Sequence, residues 1–150
     1  MARTNLKLQD ICEVFGKWSC LAQCYIYAAL KDVATPEELN NEDFINIAIL
    51  SNLYMFFKNQ DNLDEECTVL DANKLMHNVN GKKYKVEKRD DITSLKDLEN
   101  VPRAAVLFEY NGKGHFVYCE FGKIVFNSLR LSKCVTMGKP TAARIIEYEE

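Results

Sequence analysis

The chain of 150 residues has only two histidines, His77 and His115. Any histidine base working near neutral pH must be one of these. Its six cysteines, Cys12, Cys20, Cys24, Cys67, Cys119 and Cys134, include no Cys-x-x-Cys pair. Structural zinc uses tighter spacing than this. No export signal precedes them, because Met1 to Leu8 alternates charged with apolar residues and holds no continuous apolar stretch. A disulfide framework is therefore not expected, and a cytoplasmic location is. A long apolar run is also missing. The most apolar stretch, Phe44 to Phe57, is broken by Asn46, Ser51 and Asn52. It is shorter than the roughly 20 residues that span a bilayer, so no membrane association is expected. Positive charge is not in excess. A net charge of -3 is not the footprint of a nucleic-acid binder, which presents a basic face. The one basic concentration, Lys82, Lys83, Lys85, Lys88 and Arg89, reads as a solvated strand edge, where lysine also blocks unwanted pairing. The sequence shows no repeat, no low-complexity segment and no dividing linker.

What is present is an ordinary globular mixture, 47% hydrophobic and 27% charged. The length suits one domain, residues 1–150, with a real core. The first half reads as helical. Leu6, Leu8, Ile11, Val14 and Phe15 fit one helical face that Gly16 can stop. A second helix starts at Ser19 or Cys20 and runs to about Leu30. Thr35-Pro36-Glu37-Glu38 reads as an N-cap, a proline in the first turn and acids near the positive helix end. From Asp43 to Phe57 apolar residues cover nearly all sides, the mark of a helix that is buried or that also meets a partner. Asp71 caps a short helix ended by Asn80-Gly81.

The second half changes period. Strands are predicted at Lys83–Glu87, Ala104–Tyr110, Phe116–Glu120, Ile124–Asn127 and Arg144–Tyr148, with a helical turn at Ser94–Leu98. Asn111-Gly112-Lys113-Gly114 is a turn by composition. Helices followed by a meandering antiparallel sheet make an α+β chain.

Three residues stand out chemically. A cysteine nucleophile acts as its thiolate, which a helix N-terminus stabilises. Cys20 sits where the second helix begins, Ser19 can cap that helix, and the Cys20 amide can contribute to an oxyanion hole. Taken alone, Cys20 also reads as a small core residue. His77 falls in the short polar helix and is expected to face solvent. His115 follows a glycine-containing turn and opens an apolar strand, at the rim of the sheet. Asn127 ends the next strand, where it can orient an imidazole and fix its tautomer. If three residues join the two strands, His115 and Asn127 share a face as diagonal neighbours, roughly 7–8 Å apart at the backbone. A two-residue turn puts them on opposite faces unless a bulge intervenes.

The order of cysteine at a helix start, histidine heading a strand and Asn on the following strand resembles the papain-like cysteine peptidase superfamily. Lys17-Trp18-Ser19-Cys20, His115-Phe116-Val117 and Phe126-Asn127-Ser128-Leu129, with Ser132 and Arg144-Ile145, are similar to a small family of uncharacterised spirochaete proteins with a bacteriocin-peptidase-like core. The resemblance implies a papain-like fold, with the cysteine helix packed on a C-terminal antiparallel sheet. It implies a peptidase or amidase with Cys20 as nucleophile, His115 as base and Asn127 as orienting residue, acting on a peptide or amide without a cofactor. Two positions depart from the pattern. The relatives more often carry Asp at position 127, although papain itself carries Asn. The oxyanion glutamine that usually lies about six residues before the cysteine is replaced by Val14. Gln9 is then the candidate donor, and Gln23 a weaker one. Such a donor is worth roughly 2.7–4 kcal/mol in the transition state. An inactive papain-fold binding module is therefore the second reading. A metal held by Cys20, Cys24, Cys119 and His115 is a third, and Cys24 is more simply explained as packing on the inner face of its helix.

Overall fold

The computed structural model describes residues 19–129 and 131–149. The helix expected from Leu6 to Phe15, and Gln9 within it, lie outside the described residues. The described residues form two compact units that divide between Lys83 and Tyr84. The first is helical and the second holds a five-stranded antiparallel sheet, so the chain is α+β.

The helical unit contains α1 (Cys20–Lys31), α2 (Pro36–Leu39), α3 (Glu42–Lys58) and α4 (Ala72–Asn80). Local chemistry sets most of their ends. Thr35 and Glu38 form a reciprocal capping box at α2, with Pro36 in the first turn. Asn41 Oδ1 accepts from the Phe44 amide at 3.1 Å and starts α3. Asp71 does the same for α4 through Lys74, and Gly81, at φ 79°, ends it. Helix α1 is central to this unit. Ala22, Cys24, Tyr25, Ile26, Tyr27, Ala28 and Ala29 are all buried, and the helix packs on α4 and α3. Asn80 Nδ2 donates to the Ala29 carbonyl at 2.8 Å and ties α4 to α1. Cys24 is buried, as its inner-face position requires. On α3, Ile45, Ile49, Leu53, Phe56 and Phe57 are buried, while other large apolar side chains of the same helix are exposed.

The second unit runs β1 (Tyr84–Arg89), a 3-10 turn (Leu95–Leu98), β2 (Ala104–Tyr110), β3 (Lys113–Glu120), β4 (Lys123–Phe126), α5 (Lys133–Thr136) and β5 (Lys139–Tyr148). The strand order is β1-β5-β2-β3-β4. Strands β2, β3 and β4 meander as expected. The sheet as a whole does not, because β5 returns between β1 and β2. That strand is also longer than the sequence suggests. Pro140 disguises its start, but the register shifts there, with Phe108 opposite Pro140 and Leu107 opposite Ala142; a bulge tolerates the missing proline N–H. Strand β1 lies at the sheet edge, with Lys85 and Lys88 exposed and Lys85 3.4 Å from Glu147. The basic cluster is a solvated edge.

One sheet face carries Ala104, Val106 and Phe108 from β2, Val117 and Cys119 from β3, and Ala143 and Ile145 from β5. Ile92, Leu98 and Cys134 cover this row. Among the described residues no helix is long and apolar enough to cross a membrane.

Candidate active site

His115 lies on β3 opposite Phe108, in line with Val117 and Cys119 on the covered face. It is only 6% exposed. The turn before it is tighter than the four residues expected. Asn111 and Gly112 alone make it, at φ 51° and 77°, as a two-residue hairpin of the primed type requires. Lys113 and Gly114 already pair with Tyr110 and Glu109. His115 is therefore held inside the strand and does not open it.

The β3–β4 connection is also a two-residue turn. Glu120 pairs with Lys123, and Phe121 and Gly122 take φ 52° and 73°. Unaided, this turn would send Asn127 to the face opposite His115. A bulge prevents it. Cys119 faces Ile124 but Tyr118 faces Phe126, so Val125 is the extra residue. The shift by one position flips the faces of everything beyond it. Asn127, just past the end of β4, is thereby returned to the face of His115.

The two side chains meet. His115 Nε2 and Asn127 Oδ1 are 2.7 Å apart. The Leu129 amide donates to the same Asn127 atom at 3.0 Å. A backbone N–H needs an acceptor, so that atom is the amide oxygen. An amide oxygen cannot donate, so Nε2 must carry the ring proton. In the neutral ring Nδ1 is then the basic nitrogen. Burial pushes the His115 pKa below the usual histidine value, and the bond to Asn127 partly opposes that. The ring is thus held in one tautomer and biased toward its neutral, proton-accepting form. The Asn127-to-Leu129 turn, in which a side-chain oxygen takes an amide two residues on, is legible in the Asn-Ser pair of the sequence. The bulge at Val125 is not, since nothing in Lys123 to Phe126 marks which residue is extra.

Cys20 belongs to the helical unit, where it is the first residue of α1 and is partly exposed. The first rung of the helix ladder joins the Gln23 amide to the Ser19 carbonyl at 2.9 Å. The amides of Cys20, Leu21 and Ala22 precede that rung, at the positive end of the helix. Ser19 occupies the N-cap position but makes no side-chain cap bond, contrary to expectation. Its hydroxyl instead accepts from Gln23 Nε2 at 2.8 Å. The Gln23 amide is thereby drawn back to the start of α1, one turn from Cys20.

The other cysteines among the described residues differ. Cys24, Cys67, Cys119 and Cys134 are buried, and burial pushes the Cys119 thiol up to about 12. Cys134 donates to the Lys113 carbonyl at 3.4 Å. His77 is exposed, with Nδ1 3.0 Å from the Lys82 carbonyl. Among the described residues no three His, Cys, Asp or Glu side chains are grouped as metal ligands would be. Comparisons with protein-family models, curated proteins and solved structures returned no match.

Proposed function

We propose that the protein is a papain-like cysteine hydrolase that cleaves an amide or peptide bond with Cys20, His115 and Asn127. The reading is supported above all by the Asn127 oxygen, which accepts from both His115 Nε2 and the Leu129 amide. Such a bond leaves Nδ1 as the base and corresponds to the base–orienter half of a nucleophile–base–orienter set. The helix-start position of Cys20 supports the second half. The reading includes the papain-like arrangement in which α1 packs on the sheet and Cys20 meets His115.

The chemistry follows from these roles. His115 Nδ1 accepts the Cys20 thiol proton as the sulfur attacks the substrate carbonyl. The oxyanion is stabilised by the Cys20 amide at the positive end of α1 and by a side-chain amide, Gln9 or Gln23. The imidazolium gives its proton to the departing amine, leaving a thioester. Water then attacks the thioester while Nδ1 takes its proton, and the carboxylic acid leaves as the Cys20 thiol reforms.

Iodoacetamide labelling followed residue by residue by mass spectrometry tests this. Exposure alone would make Cys20 faster than the buried cysteines, so the informative comparison is with His115→Ala. Cys20 alkylation should slow markedly in that variant at neutral pH. An unchanged rate would show that no base assists the sulfur. It would favour the second reading, a non-catalytic binding module, for which the exposed apolar side chains of α3 are the specific support.

A further inference from the structure

Helix α3 buries one side and leaves a second apolar side exposed. Ile47, Leu50 and Tyr54 are 66%, 50% and 44% exposed. With Asp43 they recur at steps of four, three and four, the spacing of a seam between paired helices. Asp43 and Lys58 close the two ends of this stripe, and both are exposed.

Two pairs in the stripe, Asp43 with Lys58 and Ile47 with Tyr54, are symmetric about one point, between residues 50 and 51, and Leu50 lies next to that point. A two-fold axis through that point sets an antiparallel copy of the helix against it. Each Asp43 then faces a Lys58, each Ile47 a Tyr54, and the Leu50 side chains meet at the centre. Opposite charges meet at both ends, and the larger apolar residues meet between them. Self-complementarity of this kind is what a two-fold interface requires of a single surface. A parallel pairing would instead set Asp43 against Asp43 and Lys58 against Lys58.

We infer that the exposed face of α3 is a homodimer interface, and that its occupant is the antiparallel α3 of a second copy of this chain. The helix has 17 residues, about 25 Å of length. That is short for an interface, so the dimer is reversible and dissociates on dilution. Within one chain Lys58 lies over the Tyr54 ring, 5.9 Å from its centre, and on pairing it turns toward the partner carboxylate.

The test is sedimentation velocity of the full chain over a concentration series, with circular dichroism to verify the fold of each variant. The chain should shift from monomer to dimer as concentration rises. Leu50→Glu, exposed and so tolerated by the fold, should weaken dimerisation by about 30-fold or more, the scale of a central anchor. Asp43→Lys and Lys58→Asp should each weaken it, and the double reversal should restore it. Three results overturn the inference. One is a monomer at every concentration, which would leave the face to another segment of the chain or to a different partner. The second is a dimer indifferent to Leu50→Glu. The third is a double reversal no better than the single ones, which would exclude the antiparallel register.

Discussion

The two units position their candidate chemical groups by different means. In the helical unit Cys20 is placed by its neighbours in sequence. It begins α1 because the helix begins there, and the Ser19 carbonyl takes the first rung. In the sheet unit His115 and Asn127 are brought together across 12 residues of chain by one tight turn and one bulge. A local device can be damaged without disturbing the rest. A register device fails as a whole, because a slip of one residue exchanges the faces of a strand. The variants below exploit this difference, in order of decreasing effect.

Replacing the locally placed group should have the largest chemical effect and almost no structural one. Cys20→Ala is expected to reduce any amidase or peptidase activity to background, while the thermal melt stays close to that of the parent, since Cys20 is partly exposed. An unfolded Cys20→Ala protein would instead show that the sulfur serves the core.

Asn127→Ala removes the orienting oxygen. We expect the chemical step to slow by about 100-fold, the low end for general acid–base help, with KM changing much less. Asn127→Asp should retain much of the rate, because a carboxylate oxygen can accept the same two bonds. Equal losses in both variants would mean that the Asn127 amide has a different task.

The register device itself can be strained at Gly122. Its φ is +73°, and an added Cβ would sit 2.5 Å from the Leu95 carbonyl oxygen. Gly122→Ala should cost about 3 kcal/mol by chemical denaturation, from the left-handed backbone and the crowding together. It should also slow Cys20 alkylation if the His115–Asn127 pair assists that sulfur. A stable variant with unaltered labelling would separate the turn from the site.

A cap in the helical unit should cost less. Asp71→Ala removes the acceptor for the Lys74 amide, and about 1 kcal/mol of stability is expected to go with it. Alkylation of Cys20 in the folded protein should be unaffected, since the cap bond joins Asp71 only to Lys74 of its own helix.

The smallest effect is on pH dependence, because burial and the Asn127 bond act on His115 in opposite directions. Burial wins, so the folded pKa lies below the ordinary 6.5. The unfolded chain then binds the proton more readily, and stability falls as pH drops from about 6.5 through the lowered folded value. Above 6.5 this group contributes no slope. The difference in unfolding free energy between the parent and His115→Gln, measured across this range, should show that trend. A difference that grows in the opposite direction would mean that His115 is favoured as the cation.

Much of the fold was legible because short-range rules govern it. The Thr35 cap, the Asp71 cap, the Gly81 stop and the limits of β2 follow from residues that touch within a few positions of one another. The two apolar sides of α3 were legible too, as a helix apolar nearly all round, although not which side would be covered. The place of β5 was not. It is fixed by which strands find partners, and Pro140 at a bulge hides its beginning from any local rule.

The candidate site divides along the same line. The sequence placed Cys20 at a helix start, His115 at the opening of an apolar strand and Asn127 at the end of the next, because each depends on local propensity and pattern; the structure sets His115 inside its strand and Asn127 just past the end of β4. Only the tertiary structure decided that His115 and Asn127 share a face. The two-residue turn alone forbids it, and the bulge at Val125 reverses that outcome. A bulge is selected by the pairing energy of two whole strands and by what their faces must cover, a sum over many residues that no single stretch of sequence contains.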